Sequence, residues 1–403
     1  MVEVNEITYV KPIKKTSVRY PTIDVIRGIA VLGILLINAN YFSTITIERY
    51  NPLSHGEFTG LNYWIWALEM VFVKQRFMTV FSILFGAGVF LMVQSNINKG
   101  LNATQLHIKR MLWLVGIGAV HGYLVWDGDI LVSYAFCGLV MYVFKNLSIK
   151  WLYVVATLFL LIPFRYTIQD IQNPPEITEE VHQFWFPKQE VLEQKKNANM
   201  GSWLEETPKR ASVTFRRQTS DFISWTLWRV GGLFLIGIAL IKSKFLTGER
   251  PLYIYVHTFW YSFLLSVPIS CLGVYHYVMS NFNYTIFATS YSAVLYLASI
   301  SMAFMYISGI IILVKKQIFQ QALTQFERIG KIALSNYILQ SILGTLIYFG
   351  YGFGFYGRVD RTFVVLSVVG IWAVNIVFTN YWLKRNKQGP LEYIWRTLTY
   401  GKS

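Results

Sequence analysis

Apolar residues do not alternate with polar ones along most of this chain; they run together. Long apolar runs punctuated by short basic segments are the pattern of helices that cross a bilayer, each of which needs about 20 apolar residues. The runs fall at 23–43, 61–93, 111–126, 130–144, 151–166, 225–241, 253–277, 286–314, 332–349 and 362–383. Lys74, Gln75 and Arg76 interrupt the second run. It reads either as an interfacial helix leading into a span or as one long broken span. The expected fold is all-α: a polytopic transmembrane helical bundle of about 10 spans (10–11), forming a single membrane domain over residues 1–403.

Composition agrees. Of 403 residues, 54% are hydrophobic and 14% charged, whereas a soluble domain carries about 25% charged residues. The net charge of +15 follows from basic loops facing anionic lipid. No basic stripe with interleaved aromatics points to nucleic acid. The basic clusters are the N-terminal tail; Lys99, Lys109 and Arg110; Lys145 and Lys150; Lys242, Lys244 and Arg250; Lys315, Lys316, Arg328 and Lys331; and Lys384, Arg385 and Lys387. Placed together in the cytoplasm, they let the spans alternate without conflict, provided 61–93 crosses once. Both termini are then cytoplasmic and residues 1–22 form a cytoplasmic tail. The expected location is a bacterial cytoplasmic (inner) membrane, entered by multiple passes, with an uncleaved first span. Residues 167–224 become an extracytoplasmic insertion, whose Trp185, Phe186 and Trp203 suit interfacial helices over the bundle. Cys137 and Cys271 read as small core residues and not as a disulfide. No internal repeat of the kind found in many transporters is evident.

Ionisable groups at membrane depth are costly, so each is a functional hypothesis. The acids in or against apolar runs are Asp24, Glu69, Asp127 and Asp129. Asp24 and Arg27 stand three apart and share a helix face. They read as a structural ion pair, or as a site where the planar guanidinium of Arg27 meets a phosphate. Between two spans lies His121-Gly122-Tyr123-Leu124-Val125-Trp126-Asp127-Gly128-Asp129. Here Asp129 can cap the returning helix and His121 can make an interhelical hydrogen bond. Together they can also form a base and its orienting carboxylate. His55, in the loop after the first run, reads as a solvated residue or a second candidate base. Dense glycines at 86–88, 116–118 and 231–232 read as close helix packing. No Cys/His/Asp spacing indicates a metal site.

Five stretches carry a family resemblance: 23–34, with Asp24, Arg27 and Gly28; 81–88, with Phe85, Gly86 and Gly88; 121–131; Gly330-Lys331-Ile332-Ala333-Leu334-Ser335-Asn336-Tyr337; and Gly389-Pro390-Leu391-Glu392-Tyr393-Ile394-Trp395-Arg396. In these the chain resembles the YeiB-like family of bacterial membrane proteins (domain of unknown function 418), whose members mostly lack an assigned reaction. That family is more distantly similar to heparan-alpha-glucosaminide N-acetyltransferase, through an Asp-x-x-Arg-Gly on the first span. The resemblance implies transmembrane acyl transfer from cytoplasmic acyl-CoA to a hydroxyl or amine outside, on a glycan or lipid-linked acceptor. It also implies an active-site histidine in the loop after the first span, a place His55 occupies here ahead of Gly60-Leu61. His121 belongs to the YeiB-like pattern itself.

The leading expectation is therefore a membrane acyltransferase. Arg27, beside Asp24, would hold the donor's phosphates. His121 or His55 would act as base, and Asp129 would orient it. The implied partners are membrane lipids, acyl-CoA and the acceptor, without nucleic acid or metal; a homo-oligomer is left open. The alternatives are a small-molecule transporter or exporter using the same Asp/Arg/His pathway, and a non-catalytic scaffold.

Overall fold

The structure is a computed structural model that describes residues 20–55, 58–197 and 199–401, with the side chain of His55 outside the described set. Most of the expected tail over 1–22 also falls outside it. Among the described residues there are helices and no strands. Helix α1 (Pro21–Ser43) opens with proline at its start, where the missing N–H has no helical partner to lose. Next come α2 (Gly60–Phe72) and α3 (Arg76–Asn98), so the interrupted run is two helices. They are joined at a corner where Gln75 takes a left-handed φ of 68°. Then follow α4 (Ala103–Val120), α5 (Leu131–Met141) and α6 (Ile149–Gln172).

Residues beyond α6 build α7 (Glu179–Trp185), α8 (Gln189–Asn197) and α9 (Trp203–Gln218). Helix α9 begins with a capping box between Ser202 and Glu205. It runs through a π-helical turn at Phe222–Thr226 into α10 (Leu227–Lys242). The chain continues through α11 (Leu252–Met279), the short α12 (Tyr284–Ile286), α13 (Ser292–Lys315), α14 (Gln320–Lys331), α15 (Ala333–Tyr348), α16 (Arg361–Leu383) and α17 (Pro390–Tyr400).

Eight of these helical stretches are long and apolar enough to cross a membrane. The shorter stretch Leu131–Phe144 and helix α15 pack among them. Helices α1 and α10 are apolar and buried around most of their circumference, as expected at the centre of a bundle. Helices α4, α6 and α11 instead turn outward large apolar residues such as Leu112, Leu158 and Leu272, the face a bilayer covers. Cys271 lies on that outward face of α11, and only Cys137 is in the core; both are free. The expectation that both fill the core fails for Cys271, because its helix turns that flank to lipid.

Connecting segments meet in two groups. At one end, Gly357 N–H donates to Ser43, Gly350 N–H to Asn199, the Asn51 amide to Trp185 and the Trp185 indole to Phe282. At the other, the Lys242 ammonium reaches Leu147, Lys315 reaches Gly248, and the Trp395 indole reaches Arg110. The first turn of α1 and all of α17 belong to this second, basic end. Small residues set the closest crossings: α1 meets α14 at Gly28 and Gly330, and α3 meets α10 at Gly86 and Gly237.

Candidate functional site

Helix α4 does not end in an ordinary cap. Its last turn, His121–Val125, widens to a π-helix and gives way to the tight turn through Asp127, Gly128 and Asp129. A widened turn leaves carbonyls without helical partners, and such groups are seldom left bare when buried. Helix α9 supplies the donors from one face. The Thr214 hydroxyl donates to Gly122 (2.9 Å), Arg210 Nε to Tyr123 (2.8 Å) and the Trp203 indole to Leu124 (2.8 Å). Arg217 donates to the Asp127 carbonyl at 3.0 Å and lies 3.6 Å from its carboxylate.

The turn delivers Asp129 to His121. His121 Nδ1 lies 2.8 Å from Asp129 Oδ1, and each side chain is 1% exposed. The other carboxylate oxygen accepts the Val132 backbone N–H at 3.0 Å, so Asp129 caps α5 while it holds the histidine. A carboxylate on Nδ1 places the proton there and leaves Nε2 with a free lone pair. Nε2 is buried and has no hydrogen-bond partner among the described residues. One side chain thus makes both contacts, the cap on α5 and the bond to His121. Helix α9 covers one face of the turn, so His121 and Asp129 are buried while Asp127 keeps 31% of its side chain exposed.

Beside this pair stands Tyr337 of α15, its ring centroid 5.2 Å from that of His121 and its hydroxyl 3.3 Å from the Gly128 carbonyl. On the other side of Tyr337 is a cavity of about 300 Å³. Its walls are Phe81, Leu84, Phe85, Val89, Met111, Leu114, Ile130 and Leu131, and at the basic end it is lined by Arg27, Arg110, Lys331, Glu392 and Trp395. Arg27 donates to Asp24 at 2.7 Å yet keeps 27% of its side chain exposed. Asp24 is buried. Arg110 stacks on the Trp395 ring, 3.7 Å from its centroid. From Arg110 to His121 α4 rises about 17 Å, at about 1.5 Å per residue.

The recurrent stretches gain physical roles. Gly330 lets α14 touch α1. Ser335 and the Leu334 N–H donate to the Glu392 carboxylate, at 2.5 and 2.8 Å. That carboxylate caps α15, and burial pushes its carboxyl group up from the ordinary value against the pull of these hydrogen bonds. Asn336 joins Thr379 and Asn375 of α16. Tyr337 divides the cavity from His121. Phe81, Leu84, Phe85 and Gly88 line the cavity, and Gly389 sits where a Cβ would strike Glu392.

His55 ends a short 3-10 turn, Pro52–His55, but its side chain lies outside the described set, so its expected role as a base has no geometry to weigh. The other acid at depth, Glu69, is bound by the Asn40 amide (3.2 Å) and Arg361 (3.4 Å), on the other flank of α1's far end. Two further charges at depth escape a reading built on acids: Arg76 and Arg229, both buried. The signal for them was visible, since each is a basic residue inside an apolar run.

Comparison with known proteins extends these observations. A family model described as "Protein of unknown function (DUF418)" matches residues 240–402, which include the stretches at 330–337 and 389–396. The chain is 29% identical over 401 residues to the uncharacterized protein YxaH of Bacillus subtilis (strain 168), covering 96% of this chain and 95% of that protein. It is 28% identical over 397 residues to the uncharacterized protein YeiB of Escherichia coli (strain K12), covering 94% and 96%. An uncharacterized 39.9 kDa protein in the amylase 3' region of Bacillus acidopullulyticus is 24% identical over 387 residues, covering 95% of this chain and 94% of that one. The recurrent stretches are set around one cavity, the chain is similar to YeiB-like membrane proteins nearly end to end, and its residues 240–402 match the DUF418 family model.

Proposed function

We propose that the protein is a transmembrane acyltransferase of a bacterial cytoplasmic membrane, taking acyl groups from cytoplasmic acyl-CoA. One observation carries the reading: a cavity with a basic mouth and apolar walls ends at the side chain that screens a carboxylate-held histidine. Arg27, Arg110 and Lys331 suit the phosphates of the donor, as fixed guanidinium and ammonium donors do. The apolar walls suit a pantetheine arm and acyl chain, and the volume is at the low end for a small-molecule site. The length from mouth to His121 is of the order of an extended phosphopantetheine arm.

In the proposed reaction His121 Nε2 takes the proton of the acceptor hydroxyl or amine. The acceptor's oxygen or nitrogen then bonds to the thioester carbonyl carbon, the carbon–sulfur bond breaks, and the coenzyme thiolate takes the proton back from the imidazolium. Asp129 keeps the Nδ1 proton in place and stabilises the imidazolium. Tyr337 has to swing aside for Nε2 to reach the thioester, which makes it the element that admits the acyl group. The acceptor, a glycan or a lipid-linked molecule, approaches from the end that carries α7 to α9.

Proteoliposomes supplied with radiolabelled acetyl-CoA and membrane lipid extract test this. The expected result is protein-dependent thiol release with label passing to an extract fraction. In His121→Ala both vanish, while stabilisation of the protein by acetyl-CoA persists. Absence of thiol release and of any stabilisation by the donor would reject the reading and favour transport through the same cavity.

A further inference from the structure

The far half of the bundle carries more buried positive charge than its acids can balance. At the corner between α2 and α3, the Lys74 ammonium lies between the rings of Tyr50 and Tyr291, at 5.6 and 5.9 Å. No hydrogen bond or ion pair to it is found among the described residues. Arg49 donates to the Thr44 carbonyl and the Thr46 hydroxyl and stacks on Tyr41, while its Nε is buried without a partner. Arg361 is the third cation, and it already shares Glu69 with Asn40. These three cations line one small pocket, with about 20 Å³ open to the centre of a water-sized group. That is room for about one such group, the size of a single phosphate oxygen. Arg361 is also a wall of a larger cavity of about 440 Å³, whose rim residues Glu193, Arg358 and Asp360 are exposed.

Behind the pocket the excess continues. Arg76 reaches only the Lys74 carbonyl and the Ser270 hydroxyl, leaving Nε bare. One turn along α3, Thr79 accepts from Arg229, which also reaches Ser299 and leaves one guanidinium nitrogen bare. A guanidinium stays charged at any working pH, so it cannot relieve its burial by losing a proton. Hydroxyls and carbonyls offer partial charge only, and an uncompensated buried cation is costly. The corner itself is held in the left-handed conformation at Gln75, which a non-glycine residue adopts at a cost.

We propose that the pocket between Arg49, Lys74 and Arg361 is an anion site that takes one oxygen of a phosphate group, the rest of which lies in the larger cavity beside Arg361. That oxygen can meet the Lys74 ammonium and the bare Arg49 Nε beside Arg361, whose guanidinium already donates to Asn40, Glu69 and the Glu48 carbonyl, with Arg76 and Arg229 adding a favourable field from behind. The site is distinct from the donor cavity. Its α1 residues, Asn40 and Tyr41, lie about 20 Å along the helix from Arg27, at about 1.5 Å per residue. It does not depend on acyl transfer, since a phosphate-bearing lipid, acceptor or cargo would use it equally.

The test uses the full-length protein in a maltoside detergent, which has no phosphate, and follows thermal unfolding as phosphatidylglycerol or inorganic phosphate is added. The expected result is a saturable rise in melting temperature with at least one of the two. A response to the lipid alone identifies a headgroup as the ligand; a response to inorganic phosphate identifies a soluble anion. In Lys74→Met the half-saturating concentration should rise about tenfold or more, as for loss of one charge-assisted contact. Unliganded Lys74→Met should melt at or above the parent temperature, because an unpaired buried charge has gone. The proposal is overturned if neither probe produces a saturable rise, or if Lys74→Met and the parent saturate alike.

Discussion

Gly28 and Gly330 face each other backbone to backbone. A Cβ on Gly28 would lie 1.9 Å from the Phe326 carbonyl oxygen, and one on Gly330 1.9 Å from that of Asp24. No side chain can move to relieve either clash. Alanine at either position should therefore separate α1 from α14. The cost should exceed about 3 kcal/mol, the upper range for overpacking. Gly116 of α4 has nothing within 4 Å of its notional Cβ, so Gly116→Ala should be neutral or stabilise by about 0.5–1 kcal/mol. Thermal unfolding of the three purified variants in detergent checks the contrast.

Under the proposed reaction, substitutions at Asp129 should separate catalysis from folding. Asparagine there can still accept from Val132 and cap α5, but it cannot stabilise an imidazolium. Asp129→Asn should fold with nearly the parent melting temperature and lose transfer by about 10²–10⁴-fold. Asp129→Ala should lose transfer and also about 1 kcal/mol of stability, the value of a cap. Equal transfer rates in Asp129→Asn and the parent would assign this carboxylate to capping alone.

Under the proposed function, Glu392 should make donor binding depend on pH. Burial raises its carboxyl above the usual value, so it takes up a proton at a higher pH than an unfolded glutamate at about 4.3. Above that raised value the carboxylate opposes Arg27, Arg110 and Lys331 at the mouth; as pH falls through it, the opposing charge disappears. Affinity for acyl-CoA should therefore increase on acidification through that window. The sign for stability is the same: the burial penalty on the charged form is present above the raised value and is relieved below it. Calorimetric titration of the donor across pH should show the rise in the parent and a flat profile in Glu392→Gln.

Orientation is open to direct labelling. With the basic end in the cytoplasm, single cysteines in a cysteine-free background at Asn197 and Asn386, both exposed, should react from opposite faces of intact cells. An impermeant maleimide should reach the Asn197→Cys site and not the Asn386→Cys site. Labelling of both from outside would reject the orientation.

What could be read without coordinates was local in sequence or carried by long apolar runs. Asp24 with Arg27 and His121 with Asp129 are three and eight residues apart, so one helix turn or one tight turn suffices to join them. The spans announced themselves because lipid-facing and core-facing sides are alike apolar. For the same reason the runs could not say which flank of α11 meets lipid, and Cys271 was misplaced. Glu392 capping α15 joins residues 57 apart in sequence. Arg229 meeting Thr79 spans 150. Neither leaves a periodic trace, because each partner is a single polar residue in an otherwise apolar helix.

The donors that close the turn after α4 lie 79 to 92 residues downstream of the carbonyls they serve. A ribosome working at about 5–20 residues per second reaches them about 4 to 18 s after making the turn. During that interval α4 and α5 stand in the membrane with their connecting carbonyls answered only by water or lipid headgroups. The His121–Asp129 pair is thus enclosed only when α9 arrives, by which time about half of the 403-residue chain has been made.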